Sequence, residues 1–161
     1  MVRPVRRCGS DEETQRAGEE FVHLVRAGDV VILNGPLGAG KTTFVKGLAR
    51  GLGVRERVVS PTFTMVRDYA TDGRGGITHL HHADVYRASG PGDILDLDLH
   101  EWREESALVV VEWGERAADL FGEVNLTVNF TPDDSTEARD LEVVGPESLA
   151  RSGEIAHWEG R

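Results

Sequence analysis

The segment Gly-Pro-Leu-Gly-Ala-Gly-Lys-Thr at residues 35–42 constrains this chain more than any other part of its sequence. It matches the pattern G-x-x-x-x-G-K-[ST], in which glycines allow a tight turn whose backbone N–H groups point at an anion. Lys41 can reach the outer phosphates of a nucleotide, and the hydroxyl of Thr42 can bind Mg²⁺. This glycine-rich loop (residues 35–42) therefore predicts binding of a nucleoside triphosphate.

The sequence on either side of the loop supports this prediction. The apolar run at residues 30–33 is typical of a buried parallel strand. Residues 43–52 carry apolar side chains at helical spacing and are followed by Gly53, which predicts a helix. Strand, loop and helix in this order are the setting that a phosphate-binding loop requires. A chance glycine-rich turn is the alternative, and this setting argues against it.

Length, charge and cysteine content limit the class of protein. With 161 residues, 39% of them hydrophobic, the chain fits a single domain spanning residues 1–161, with loosely ordered or disordered ends at 1–9 and about 147–161. The net charge of −10 argues against a protein that binds nucleic acid by itself, because phosphate contacts need a basic face. The single cysteine, Cys8, suits a reducing compartment, and no apolar stretch is long enough for a membrane span. We expect a cytoplasmic protein.

The remaining pattern predicts a sheet that is only partly parallel. A helix begins at Ser10 or Asp11 and stops before Gly28. Residues 63–69 and 77–85 are expected to form strands joined by a hairpin turn at 71–76, and residues 124–130 and 140–144 to form a closing hairpin. Residues 108–111 predict a second buried strand, and 93–104 and 115–120 short helices. The predicted class is α/β: a three-layer P-loop NTPase fold with a mixed sheet and an antiparallel hairpin insertion.

Two carboxylates are candidates for nucleotide chemistry. A nucleotide-hydrolysing site needs a second group to hold the magnesium ion, usually at the tip of a neighbouring parallel strand. Glu112 directly follows the apolar run 108–111; its alternative role is a surface acid at a strand end. Asp84 lies near the end of the strand 77–85 and can order an attacking water, with an exposed salt bridge to Arg87 as the alternative. Trp113 can stack on a ligand, although the residues alone favour core packing.

Two further segments have weaker signals. His79, His81 and His82 precede Asp84 and suggest zinc, but His82 lies on the other face of the strand from the first two and no cysteine is near. An independent zinc site is therefore not predicted. Ser60-Pro61-Thr62 stands where a switch segment can sense the γ-phosphate, and its alternative is an ordinary turn.

Four segments together resemble one bacterial family. They are the loop with Thr43, Ser-Pro-Thr-Phe-Thr at residues 60–64, His-Ala-Asp-Val-Tyr-Arg at 82–87 and Val-Glu-Trp at 111–113. Their order and spacing over about residues 10–144 resemble the TsaE-type family, the ATPase component of bacterial tRNA threonylcarbamoyladenosine biosynthesis. The resemblance implies ATP and Mg²⁺ as ligands and a role in forming N6-threonylcarbamoyladenosine at tRNA position 37. It also implies docking on the threonylcarbamoyl-transferase complex. The acidic net charge favours contact with tRNA through that complex, and the lack of a long apolar stretch predicts no membrane partner.

The resemblance also assigns roles by position. It implies catalytic roles for Lys41, Asp84 and Glu112, and metal binding by Thr42 and Glu112. The family carries Gly-Arg before a Glu-Ala-Arg segment. This chain has the Glu-Ala-Arg that ends at Arg139 but lacks the Gly-Arg before it, so no nucleotide contact is predicted from residues 131–139. The implied nucleotide-binding residues are Asp11, Leu37, Gly38, Ala39, Gly40, Lys41, Thr42, Thr43 and Trp113.

Three other functions remain open from the residues. A small metabolite kinase of P-loop type fits the length, but its arginine-bearing lid would have to be Gly-Arg-Gly-Gly at 73–76, which is more typical of a hairpin turn. A GTPase would carry Asn-Lys-x-Asp, which the chain lacks. The third alternative is a regulator that binds ATP without hydrolysing it. In that case, replacing Glu112 and Asp84 by alanine would leave ATP turnover at its background value.

Overall fold

One mixed sheet of seven strands organises the part of the chain that the computed structural model describes, which is residues 1–61, 66–86, 92–93, 106–113, 126–151 and 153–160. The order of strands across the sheet is β1-β7-β6-β2-β5-β4-β3. The elements in chain order are β1 (Val5–Cys8), α1 (Asp11–Glu20), β2 (Val30–Asn34), α2 (Lys41–Gly51), β3 (Val66–Ala70), β4 (His79–Asp84), β5 (Ala107–Glu112), β6 (Leu126–Pro132), β7 (Arg139–Val144) and α3 (Glu154–Trp158).

The centre of the sheet is parallel. Strand β2 pairs in parallel with β5 on one side and β6 on the other, and β5 pairs in parallel with β4. All six residues of β5 are buried, which explains why it is a continuous apolar run rather than an alternating one. Parallel pairing brings the carboxyl ends of β2, β4 and β5 to the same edge of the sheet. The glycine-rich loop, Asp84 and Glu112 all lie at that edge.

Both predicted hairpins are confirmed. Strands β3 and β4 pair antiparallel, with Tyr69 opposite Leu80, and a 3-10 turn at Arg74–Gly76 lies between them. Strands β6 and β7 also pair antiparallel. Arg74 lines a surface pocket together with Arg50 and Gly51 at the carboxyl end of α2. The glycine-rich loop precedes the opposite end of that helix, about 16 Å away for eleven residues, so Arg74 does not reach the loop.

Helix α1 begins where the sequence predicts and ends earlier. The Oγ of Ser10 accepts a hydrogen bond from the backbone N–H of Glu13 at 3.2 Å, and Glu13 Oε2 accepts from the N–H of Gly9 at 2.6 Å. After Glu20 the chain tightens into a 3-10 turn at Phe21–His23. The apolar side chains Ala17, Phe21, Leu24 and Val25 of this segment are nevertheless all buried.

Helices α1 and α2 pack with their backbones close together. A Cβ atom on Gly47 would lie 1.8 Å from the carbonyl oxygen of Gln15, so this crossing requires glycine. Phe44 of α2 contacts Phe21 edge-to-face at a ring separation of 5.2 Å and Phe130 of β6 at 5.6 Å. This packing fixes the start of α1, and with it Asp11, beside the glycine-rich loop.

The two chain ends differ from the loosely ordered segments expected of them. Residues 1–9 contain β1, which pairs antiparallel with β7 and buries Cys8 completely. The tail contains a 3-10 turn at Glu147–Arg151 and α3, and the buried Trp158 donates its indole N–H to the carbonyl of Ala17 at 2.9 Å. Both ends are ordered by contacts with residues more than a hundred positions away, which no local pattern reveals.

Some predicted features lie outside the described residues. They are the strand at 63–65, the helix at 93–104 except Asp93, the helix at 115–120, and Thr62 and Arg87. Within the described ranges, no helix has the length and apolar character needed to cross a membrane.

Candidate functional site

The glycine-rich loop leaves the carboxyl end of β2 and enters the first turn of α2. Gly40, the residue before α2, has a left-handed backbone with φ of 101°, which strongly favours glycine. A Cβ atom at this position would also lie 2.5 Å from Nη1 of Arg139. The loop therefore keeps its shape only with glycine at position 40.

A cavity of about 390 Å³ opens above the loop. Ser60 and Tyr86 contribute to its wall, so the segment preceding Thr62 does reach the site. The residues that the sequence predicts for the site all line this cavity: Asp11, Leu37, Gly38, Ala39, Gly40, Lys41, Thr42, Thr43, Asp84, Glu112 and Trp113. Tertiary structure thus gathers into one place residues that are up to about a hundred positions apart in the chain.

The ammonium group of Lys41 is held by the loop itself. Lys41 is 5% exposed, and its Nζ donates to the carbonyl oxygens of Gly35 at 2.6 Å and Pro36 at 2.9 Å. Nζ also lies 3.9 Å from the centre of the Trp113 ring, a cation–π contact. These acceptors are neutral, so an anionic oxygen entering the cavity would compete effectively for the ammonium group.

Thr42 and Glu112 meet at the head of α2. The hydroxyl of Thr42 donates to Oε1 of Glu112 at 3.0 Å and to Oε2 at 3.2 Å. Glu112 is 3% exposed, so it is not the surface acid that the sequence left open. Its position follows from the register of the parallel strands, which places Glu112 beside Leu33 of β2 and Asp84 of β4.

Asp84 is half-buried at the end of β4. Burial raises the pKa of its carboxyl group, the neighbouring charge of Glu112 raises it further, and the backbone N–H of Tyr86, which donates to Oδ1 at 2.9 Å, opposes the shift. A carboxylate that is partly desolvated but still reached from the cavity is a suitable acceptor for a proton or a hydrogen bond from water.

Trp113 belongs to the cavity wall and not to the apolar core, which corrects the core-packing interpretation. Its ring lies 4.8 Å from the ring of Tyr86, and its backbone N–H donates to the carbonyl of Leu33 at 2.9 Å. Trp113 has φ of 61°, and among the residues described it is the only one other than glycine with positive φ. Such strained backbone is concentrated at functional sites, because the surrounding structure has to impose it.

His82 contacts the site from below the cavity; the sequence suggested it only as a zinc ligand and did not predict its contact with Glu112. Its imidazole is completely buried, and Nε2 lies 2.6 Å from Oε2 of Glu112. The sequence contained one signal for this position. Side chains two residues apart lie on the same face of a strand, which places His82 on the face that carries Asp84. His79 and His81 stack on each other instead, and Nδ1 of His81 lies 3.2 Å from Oδ1 of Asp68. The part of the chain that is described holds no cluster of three or more histidine, cysteine or acidic side chains suited to a metal.

Arg139 is a second residue that the sequence left out. It is 8% exposed, and it donates to Oδ1 of Asp11 at 2.8 Å and to the carbonyl of Glu137 at 2.8 Å. A smaller cavity of about 290 Å³ lies here and shares Asp11 and Gly38 with the main one. Arg139 therefore joins the start of α1, the loop at 133–138 and the glycine-rich loop. No local signal marks it, because the contact depends on the pairing of β1 with β7, which places Arg139 opposite Cys8, just before α1.

Fold and site together define a mixed α/β protein in which a glycine-rich loop and two acidic strand ends border a cavity. Comparison with known proteins identifies the family. The family model described as "Threonylcarbamoyl adenosine biosynthesis protein TsaE" matches residues 8–141. The chain belongs to the TsaE family, and the resemblance drawn from its sequence motifs is confirmed.

Individual relatives agree with the family model. The chain is 42% identical over 121 residues to the tRNA threonylcarbamoyladenosine biosynthesis protein TsaE of Treponema pallidum, covering 75% of this chain and 86% of that protein. It is 43% identical over 132 residues to the TsaE protein of Streptomyces coelicolor, covering 80% and 87%. The crystal structure of Bacillus subtilis YdiB superposes with a TM-score of 0.74 at 29% identity, covering 97% of this chain and 95% of that one.

Proposed function

We propose that this protein is a Mg²⁺-dependent ATPase of the P-loop class, required for N6-threonylcarbamoyladenosine at position 37 of tRNA. The observation that carries the proposal is the meeting of Thr42 and Glu112, 3.0 Å apart, beside the buried ammonium of Lys41. The TsaE membership supplies the pathway, since relatives of this family are named for tRNA threonylcarbamoyladenosine biosynthesis.

Phosphate binding would use the loop and the start of α2. The positive end of the helix dipole favours an anion there. Lys41 adds a full positive charge in a largely buried position, where electrostatic attraction is less screened than in water. To reach a phosphate, Lys41 would exchange its contacts with the Gly35 and Pro36 carbonyls for charge-assisted ones.

The residues at the head of α2 fit a magnesium ion. Mg²⁺ prefers oxygen ligands at 2.0–2.1 Å in an octahedron, which puts neighbouring ligand oxygens about 2.9 Å apart. The Thr42 hydroxyl and Glu112 Oε1 lie 3.0 Å apart, so both could bind one ion with little rearrangement. When bound, the ion would neutralise negative charge on the phosphates.

Asp84 would orient water for attack on the terminal phosphate. It shares the cavity with Lys41 and Glu112, and desolvation makes its carboxylate a better proton acceptor than an exposed aspartate. The kinase alternative lacks comparable support, because Arg74 lies at the far end of α2 from the loop.

The protein would act on the threonylcarbamoyl-transferase complex and meet tRNA through that complex. Its net charge of −10 disfavours binding tRNA by itself. Leu37 and Tyr86, which line the cavity, are 76% and 44% exposed, and large apolar side chains at such a position suit cover by a protein partner. Hydrolysis by the purified protein would accordingly be slow, since a switch of this kind needs its partner to order the catalytic groups.

The proposal is tested by comparing wild type with Lys41→Ala, using Lys46→Ala as the matched control. Lys46 is an exposed lysine on the same helix that does not line the cavity. Wild type and the control should bind ATP more tightly with Mg²⁺ than with EDTA, hydrolyse it, and support modified tRNA in cells. Lys41→Ala should lose all three properties. Normal tRNA modification with Lys41→Ala, or hydrolysis indifferent to Mg²⁺, would refute the proposal.

A further inference from the structure

A fully buried histidine lies directly beneath the Thr42–Glu112 pair. His82 has no exposed surface, and its Nε2 is 2.6 Å from Oε2 of a glutamate that is itself 3% exposed. Strand β4 carries His82 and β5 carries Glu112; the register pairs Asp84 with Glu112, so His82 is one step deeper on the same face. The function proposed above assigns no role to this imidazole.

Packing does not explain a histidine at this position. The neighbours on the same face, Leu80 and Val110, are apolar and completely buried, and another apolar side chain would continue that row without a polar group to satisfy. Burying an imidazole is costly unless its nitrogens find partners. Within the described ranges, Nδ1 of His82 has none, which leaves the contact with Glu112 as the polar interaction that accounts for the residue.

The hydrogen bond has a defined direction. An ionised carboxylate only accepts hydrogen bonds, so Nε2 carries the hydrogen and donates to Oε2 of Glu112. Thr42 approaches the same carboxylate from the side of α2 and donates to both of its oxygens. His82 is anchored in β4 and cannot follow Thr42 when that hydroxyl turns to another partner. The histidine therefore holds Glu112 in place independently of Thr42.

We propose that His82 is a positioning residue that orients Glu112 for binding the divalent cation. This inference rests on the proposed function, because it assigns a metal-binding role to Glu112. A donor that hydrogen-bonds a metal-binding carboxylate fixes its orientation in advance, and losing such a donor typically lowers metal affinity about 10- to 100-fold. Direct contact of His82 with nucleotide is not part of the proposal.

The test compares His82→Leu, which removes the donor, with His82→Gln, whose amide N–H stands in for Nε2–H. His81→Leu is the matched control, because the neighbouring histidine faces away and pairs with Asp68. Cation affinity is measured by electron paramagnetic resonance with Mn²⁺ in place of Mg²⁺, in the presence of a non-hydrolysable ATP analogue. Affinity for the same analogue in EDTA is measured in parallel.

We expect His82→Leu to weaken Mn²⁺ binding about tenfold or more, while affinity for the analogue in EDTA is unchanged. His82→Gln should recover most of the loss, and His81→Leu should match wild type. Equal Mn²⁺ affinity in wild type and His82→Leu would overturn the inference while leaving the proposed function intact. If the wild-type protein itself binds no Mn²⁺ in the presence of the analogue, both the inference and the proposed function are refuted.

A measurement on the unsubstituted protein covers the case in which His82→Leu does not fold. In protein labelled with ¹⁵N-histidine, the hydrogen-bonded imidazole should give one slowly exchanging proton coupled to Nε2, assigned by its absence in His82→Gln. Its absence from the wild-type spectrum would overturn the inference, because the donor that holds Glu112 would not exist.

Discussion

The ammonium nitrogen of Lys41 lies 3.9 Å from the centre of the Trp113 ring, and the two residues come from different elements of the fold. Lys41 opens α2, whereas Trp113 follows β5 with a left-handed backbone. The Trp113 ring and the backbone carbonyls of the glycine-rich loop together hold the ammonium group of Lys41 at the edge of the cavity. The Lys41 side chain is thus ordered by these contacts, which would lower the entropy lost on binding if Lys41 contacts phosphate as proposed.

Replacement of Lys41 by methionine should separate binding from stability. Methionine keeps the length of the side chain but removes a largely buried charge, together with its hydrogen bonds to the Gly35 and Pro36 carbonyls and its attraction to Asp84. The relief of desolvation and the loss of these contacts oppose each other, so the melting temperature should change little. ATP affinity should fall on the order of 10- to 100-fold, as expected for lost charge-assisted hydrogen bonds. Calorimetric titration and thermal unfolding of the same sample check both. A large fall in melting temperature would show that Lys41 is primarily structural.

Asp84→Asn should raise stability and remove turnover. Burial raises the pKa of Asp84 in the folded protein above its unfolded value, so the ionised form destabilises the fold at neutral pH. Asparagine removes this penalty and keeps an oxygen for the Tyr86 N–H. The stability advantage of the variant should shrink as pH falls through the folded pKa, where wild-type Asp84 becomes neutral as well.

Turnover by Asp84→Asn should fall about 10²-fold or more, the usual contribution of a general base, with ATP still bound. Thermal unfolding across pH and steady-state hydrolysis measure the two effects. If Asp84→Asn and Glu112→Ala both hydrolysed ATP at the wild-type background rate, the regulator that binds ATP without turnover would become the better interpretation.

Gly47→Ala should destabilise the fold. The added Cβ would lie 1.8 Å from the carbonyl oxygen of Gln15, so α1 would have to move away from α2. Overpacking of this kind typically costs about 1–3 kcal/mol. Gly9→Ala is the control, because a Cβ there would meet only the flexible Glu13 side chain at 3.4 Å. Denaturant unfolding should show a lower midpoint for Gly47→Ala alone, and equal midpoints would contradict the close packing of the two helices.

Asp133→Asn should produce a stability loss that disappears in acid. Asp133 accepts hydrogen bonds from the backbone N–H and the Oγ hydroxyl of Ser135, and it forms an ion pair with Arg7. These contacts hold the pKa of its carboxyl group well below the usual range. Because the folded pKa is depressed, the stabilisation is present above the unfolded pKa of about 3.9 and is lost as pH falls below it.

Wild type should therefore melt above Asp133→Asn at pH 7, and the two should converge in acid. Asp134→Asn, at the adjacent residue, serves as the control. Since Arg7 is exposed, added salt should also narrow the difference at pH 7. A difference that persisted unchanged at low pH would show that the charge of Asp133 is not what stabilises the loop.

Much of the site was predictable because its signals are local. The glycine-rich loop, the apolar run before it and the helix after it are contiguous, so composition and spacing identified Lys41 and Thr42 directly. Glu112 and Asp84 were found because each ends a strand with a clear apolar pattern, and parallel strands bring their carboxyl ends together. The hairpin at 71–76 was marked by its turn residues, which act over a few positions.

The sequence by itself determined the glycine-rich loop, the mixed nature of the sheet and the acidic residues at the strand ends, since each depends on neighbouring residues in the chain. Only the tertiary structure decided that His82 donates to Glu112, that Arg139 reaches Asp11 and the loop, and that Trp113 lines the cavity. The same is true of β1 and of Trp158, which are ordered by partners far away in sequence. These contacts depend on strand register and helix packing, which arise from the whole core and leave no signal in any short segment.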